Sequence, residues 1–185
     1  MKKALCALCL LLIAAHTPAD PVEVSVRRDQ NNVYHFHMSF VANAEPKRVL
    51  AIITDYNNLT RLNPLIKSSR VLDWELPNID RAEIITEGCM LFFCKKVRRV
   101  EDASIDKNLT ISTVIVPALS DFKSGETRWT FDPAGEKTRV QYIASMQPDF
   151  WLPPFVGPYA LKKQIHSQLQ YTANKINLLL ATHAH

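Results

Sequence analysis

The side chains of residues 33–42 alternate in character: Tyr34, Phe36, Met38 and Phe40 fall on one face of a strand, and His35, His37 and Ser39 on the other. Residues 22–28 alternate too, and the polar run Asp29-Gln30-Asn31-Asn32 between the two predicts an antiparallel pair around a turn, aromatic face inward. Pro46, after Asn43-Ala44-Glu45, suits the first turn of a helix whose apolar stripe is Val49, Ile52 and Ile53 and which ends near Asp55-Tyr56-Asn57-Asn58. A second helical turn carries Leu59 and Leu62. Strand-like segments follow at 68–74, 81–86, 90–100 and 109–116, divided by Pro77-Asn78, Gly88 and Asp106-Lys107-Asn108. A further pair, 125–131 and 138–146, flanks the turn Asp132-Pro133-Ala134-Gly135. The prolines of 148–158 exclude regular helix there. From 159 to 182 neither proline nor glycine occurs, and Leu161, Ile165, Leu169, Thr172, Ile176 and Leu179 or Leu180 recur at helical spacing, which predicts a long amphipathic helix.

These elements predict one α+β domain over residues 20–185, a curved antiparallel sheet wrapped around a long C-terminal helix, with short helices after the first strands. The gap between sheet and helix is where a ligand would fit. Residues 1–19 read as a signal peptide: Lys2 and Lys3 precede an uncharged run over 4–15, and Thr17-Pro18-Ala19 suits cleavage before Asp20. That run is short of the roughly 20 residues a membrane span needs, so the expectation is export, to the periplasm or outside the cell. The chain carries 22 basic and 18 acidic residues, a formal charge of +4, two of which leave with Lys2 and Lys3. Nothing in that near-balance calls for nucleic acid.

Cys89 and Cys94 remain beyond the signal. Five residues of straight strand cover about 16 Å, whereas bridged Cα atoms lie within about 7 Å, so pairing requires a tight turn inside 89–94. The reading taken is two unpaired apolar thiols at the core.

The order of elements, together with Val49 through Asp55-Tyr56-Asn57-Asn58, Leu62-Asn63-Pro64, Ser68-Ser69-Arg70-Val71-Leu72, Leu91-Phe92-Phe93-Cys94, Gly125-Glu126-Thr127-Arg128-Trp129 and Pro148-Asp149-Phe150-Trp151-Leu152-Pro153-Pro154, resembles the START-like (SRPBCC) superfamily of helix-grip proteins. Within it, the likeness is to bacterial proteins related to polyketide cyclases and coenzyme Q-binding proteins. The resemblance implies a cavity between sheet and long helix that takes lipids, quinones or other apolar molecules. The export signal sets this chain apart from the cytoplasmic and mitochondrial coenzyme Q-binding members, so the expected ligand is apolar without being a quinone in particular.

The residues expected to line such a cavity are Tyr34, Phe36, Met38 and Phe40 from the second strand, Phe93, Trp129, Phe131, Tyr142 and Met146 from later strands, and Ile165 and Leu169 from the helix. Trp151, with Phe150 and Phe155, would form its mouth and touch a membrane surface, or else plug the core. Tyr34 and Tyr142 could donate a hydrogen bond to a carbonyl inside. If Leu91, Phe93 and Val97 face inward, alternation brings Lys95 and Arg99 with them, and a charge in an apolar interior is costly without a partner. The preferred resolution is a bulge or strand end near Lys95 that turns the charges out; the other is an acidic headgroup or a buried carboxylate such as Glu87.

His35 and His37 share a face and read as exposed, with no third metal ligand beside them. Asp55 reads as the terminator of the first helix. The sequence shows no nucleophile elbow, zinc-binding His pair or phosphate loop, and no cofactor is expected. The expectation is a monomeric, non-catalytic carrier of a hydrophobic small molecule. Its rivals are a cyclase- or hydrolase-type enzyme using the same cavity and a protein-interaction module of the envelope.

Overall fold

The computed structural model describes residues 21–73, 77–90, 93–150 and 158–182. The alternating segments become eight strands: β1 (Glu23–Arg28), β2 (Tyr34–Ala42), β3 (Ile66–Leu72), β4 (Asp80–Met90), β5 (Phe93–Ile105), β6 (Ile111–Ile115), β7 (Phe122–Ala134) and β8 (Lys137–Pro148). Two helices join them, α1 (Pro46–Ile53) and α2 (Pro158–Thr182), with single 3₁₀ turns at Leu59–Arg61 and Pro117–Leu119. The strands form one antiparallel sheet in the order β1-β2-β8-β7-β6-β5-β4-β3. It curves around α2, the expected helix-grip arrangement.

Local chemistry fixes the turns. Between β5 and β6 the Asp106 carboxylate accepts from the backbone N–H groups of Asn108 and Thr110 at 2.8 and 2.9 Å, which holds Leu109 at a φ of +63°. Gly135 supplies the φ of +66° needed between β7 and β8. Asp29 does similar work between β1 and β2, accepting from Asn31 and Val33. Its carboxylate also lies 3.1 Å from His35 Nε2, a hydrogen bond that, as the largest of several causes, holds Asp29 below the usual carboxylate range.

The inward face is apolar where strands and helix meet. Met38, Phe40, Val49, Ile84, Ile111, Val140 and Ile176 are all buried in one continuous cluster. Side-chain hydrogen bonds tie α2 to the rest. Asn177 donates to the Val41 carbonyl at 2.9 Å and accepts from the Asn43 N–H at 3.2 Å. Asn63 donates to Thr172 Oγ1 at 2.9 Å and to the Gln168 carbonyl at 3.3 Å.

Three expectations need correction. Gly88 does not divide two strands: it lies within β4, whose ladder with β5 runs unbroken from Asp80↔Ala103 to Met90↔Phe93. That hairpin supplies the tight turn that pairing of the cysteines requires. Cys89 stands directly opposite Cys94, with Cα atoms 4.0 Å apart, and the two form a disulfide rather than remaining free thiols. Finally, the unbroken register leaves no bulge at Lys95, so Lys95 and Arg99 do face inward with Val97.

Residues 1–19, read above as an export signal, lie outside the described residues, as do Trp151 and Phe155. Among the described residues no helix is long and apolar enough to cross a membrane.

Candidate functional site

The sheet and α2 do not pack against each other along the whole helix. In the C-terminal half Ala173, Ile176 and Leu180 are buried in the core. In the N-terminal half Leu161, Ile165 and Leu169 border a cavity of about 410 Å³. Opposite them stand Met38 of β2, Trp129 of β7 and Tyr142 of β8, and the side is closed by Tyr56, Leu59 and Leu62 from the segment after α1. The Trp129 and Tyr142 rings lie 4.4 Å apart, tilted by 42°. Such a wall excludes water and grips an apolar body by area alone.

The wall is not apolar throughout. Residues 95, 97, 99 and 101 of β5 share the inward face, so alternation that brings in Val97 also brings in Lys95, Arg99 and Glu101. The two ends of this row differ. Lys95 stands near the start of α2, its Nζ 5.2 Å from the centre of the Phe150 ring. Phe150 in turn meets Phe122 edge to face at 6.2 Å.

Further along the row, Arg99 Nε lies 3.1 Å from Glu101 Oε2, with the side chains 26% and 5% exposed. Arg99 borders the cavity. Thr113 Oγ1 lies 3.5 Å from Glu101 Oε2 and shares a 2.8 Å hydrogen bond with Thr127. Burial, the largest single influence, works against the Arg99 charge, but Glu101, Tyr142 and Tyr56 together outweigh it and hold the guanidinium protonated. Burial pushes the Tyr142 hydroxyl up to about 12 against the opposing pull of Arg99. Tyr56 is raised by burial and by the charge of Glu101. The polar end thus holds one balanced ion pair and two tyrosines that keep their protons.

The expected lining residues are placed as follows. Met38, Trp129, Tyr142, Ile165 and Leu169 border the cavity. Phe40, Phe131 and Met146 are buried in the core cluster outside its wall, although Met146 Sδ sits 4.0 Å from Arg99 Nη1. Phe36 is half-buried against that cluster. Tyr34 is buried away from the cavity, beside a second, polar pocket that it shares with Arg28, Lys123 and Asp149. All four residues of the β2 face point inward as expected, but only Met38 reaches the cavity. Phe93 belongs to β5, with its side chain outside the described residues, and Trp151 lies outside them entirely.

Sequence reasoning missed Tyr56, Leu62, Asn63, Gln164 and Gln168. The first three flank the short helical turn expected after α1, whose place was legible but whose approach to α2 was not, and the two glutamines sit on the polar edge of the helical stripe. Glu101 was legible by extending the alternation of Lys95, Val97 and Arg99 by one step. α1 ends at Ile53 with Thr54, not Asp55, as its C-cap; the Asp55 carboxylate instead holds the turn that follows, accepting from Asn58 Nδ2 at 2.9 Å and pairing with Arg61 at 2.9 Å. Among the described residues no cluster of His, Cys, Asp and Glu could hold a metal ion.

A family model described as polyketide cyclase / dehydrase and lipid transport matches residues 42–166. Among curated proteins none matches the sequence. Of the solved structures, a protein of Thermus thermophilus is similar at 23% identity, over 81% of this chain and 99% of that one, with a TM-score of 0.66. A START superfamily protein from Mycobacterium smegmatis shares 18% identity over 80% of this chain and 97% of its own, with a TM-score of 0.62. The Zhui aromatase/cyclase of Streptomyces sp. R1128 shares 8% identity over 83% and 96%, with a TM-score of 0.63. At these identities the likeness concerns the fold.

Proposed function

The chain belongs to the polyketide cyclase / dehydrase and lipid transport family, and on that footing we propose that it binds and carries a hydrophobic small molecule, without covalent chemistry, between its sheet and α2. The observation that supports this most directly is the cavity of about 410 Å³, walled by Met38, Trp129, Ile165 and Leu169 beside the buried core. Burying about 300 Å² of ligand apolar surface there favours binding by roughly 7 kcal/mol before ordering costs, enough for useful affinity. Export of the mature chain, and brief contact with a membrane surface while ligand is exchanged, belong to the same proposal. They rest on the first nineteen residues and on the aromatic run around Phe150.

The test is native mass spectrometry, with organic extraction, of the protein purified from its own host. A stoichiometric apolar molecule is expected, and Trp129→Ala should lose at least half of it while keeping the wild-type circular dichroism spectrum. A wild-type protein that arrives empty and takes up no member of a lipid, quinone and polyketide panel would overturn the carrier reading.

A cyclase reading has one observation in its favour. Arg99 and Tyr142 place a cation and a protonated phenol on the cavity wall, where they could polarise a carbonyl. The Tyr142 hydroxyl keeps its proton to about pH 12, so it would serve as a donor and not as a base at neutral pH. Turnover of an aromatic polyketide mimic, lost in Tyr142→Phe, would favour this reading over simple carriage.

A further inference from the structure

We propose that Asn108, at the tip of the β5–β6 hairpin, is an N-glycan acceptor, modified on the folded chain by an oligosaccharyltransferase that draws on a polyprenyl-diphosphate-linked oligosaccharide. This rests on the export proposed above, because such transfer takes place on the outer side of a membrane.

The chain holds two Asn-x-Thr triplets, Asn58-Leu59-Thr60 and Asn108-Leu109-Thr110, and this is the acceptor pattern of N-glycosylation. Bacterial transferases also read a carboxylate two residues before the asparagine, through a charge-assisted contact. Asp106 stands there for Asn108, whereas Tyr56 stands there for Asn58.

The structure separates the two triplets further. Asn58 Nδ2 already donates to both oxygens of the Asp55 carboxylate, at 2.9 and 3.1 Å. The next residue, Leu59, is buried in the core, and its N–H donates to Ser69 Oγ at 3.0 Å. Seating that triplet in an enzyme would pull Leu59 out of the core, an opening of the fold itself. Asn108 is exposed, and neither its side-chain amide nor the Thr110 hydroxyl makes a hydrogen bond among the described residues. Asp106 Oδ1 accepts both of the turn's side-chain bonds, from the N–H groups of Asn108 and Thr110, which leaves Oδ2 for the transferase. Two backbone bonds close this turn, from Asp106 N to the Thr110 carbonyl and from Leu109 N to the Asp106 carbonyl, each at 3.0 Å. An exposed tip held by so few bonds opens locally without the sheet.

In the transfer, Asn108 Nδ2 forms a bond to C1 of the first sugar as the C1–O bond to the diphosphate breaks. The amide gives up one proton to the transferase, and the polyprenyl diphosphate leaves with the electron pair of the broken bond. No oxidant or reductant takes part.

The test uses the full chain, expressed with its own first nineteen residues in a bacterium that carries a periplasmic oligosaccharyltransferase and its lipid-linked oligosaccharide. Intact mass and glycopeptide mapping are the readouts. The wild-type protein should gain the mass of one glycan, on Asn108. Asn58→Gln and Thr110→Ser should keep that glycan, and Asn108→Gln and Thr110→Ala should lose it. A chain whose leader has been removed but which carries no glycan, or carries one on Asn58, would overturn this inference and leave export standing. If the leader is retained, the purified folded protein is incubated with the same transferase and oligosaccharide in detergent. Modification of Asn108 there upholds the acceptor site and overturns export alone, whereas an unmodified product overturns both.

Discussion

Glu83 faces away from the cavity, on the outer side of β4, and accepts from Arg98 Nε and Arg70 Nε, each at 2.7 Å. Those two hydrogen bonds, Arg98 first, hold its carboxyl below the usual range. A depressed carboxylate pKa contributes stability that is present above the unfolded-state value and lost as pH falls through the folded one. The contribution is roughly 1 kcal/mol, because both arginines are substantially exposed and solvent screens them. Thermal melts between pH 7 and pH 3 should therefore show Glu83→Gln less stable than wild type at pH 7 and nearly equal at pH 3. A constant gap across that range would count against the pairing. At this same scale the sequence was half legible. Alternation assigns Arg98 outward and Arg99 inward without ambiguity, yet the general cost of burying a cation argued for a bulge. What removed that cost was Glu101, two residues on along the same strand face.

Whole elements were easier to read than their junctions. α2 announces itself by helical periodicity over residues 159–182, one residue short of the helix's start at Pro158, and β2 by strict alternation, because each buries one face against a single partner layer. The β4–β5 hairpin was misread at both its glycine and its cysteines. Gly88 lies inside the strand where the hairpin nears α2: a Cβ there would sit 3.5 Å from Gln164 Nε2, in ordinary contact, so glycine is not required by sterics and gave a false turn mark. The disulfide closes only a short loop at the tip of this hairpin. Loop-closure entropy then sets its worth at about 2 kcal/mol. Reduction with a phosphine should lower the unfolding free energy by that amount and raise amide exchange at residues 86–97, leaving β2, β8 and the C-terminal half of α2 protected. Loss of protection across the whole sheet would show that the staple holds more than its own hairpin.

For the molecule as a whole, the architecture followed from the order of elements, whereas the cavity did not. A sheet and a helix with matching apolar faces could as well have closed completely. The gap exists because the inward faces of β5 to β8 carry Val97, Thr113 and Tyr142 at the level where α2 presents Gln164, Gln168 and Thr172, and these do not interdigitate as Ala173, Ile176 and Leu180 do with the core further along. Volume complementarity between distant segments is a property of pairs of residues, which no single-segment pattern encodes. Five of the expected lining residues border the gap for that reason, and their neighbours Phe40 and Phe131, on the same faces, fill the core instead.

The strand order also has a meaning in time. β2 lies between β1 and β8, so the first hairpin of the chain reaches the rest of the sheet only through a strand made about a hundred residues later. Closing so long a loop is slow, and no shorter-range pairing can substitute for it. A chain released at residue 136 should accordingly show no slow-exchanging amides in β2, although β4 to β7 are complete; protection there would mean that the hairpin folds alone. Emerging from a ribosome, the protein would stay unclosed until nearly all of it had been synthesised. Under the export proposed above, that delay would keep the chain threadable through a translocation pore for as long as threading takes.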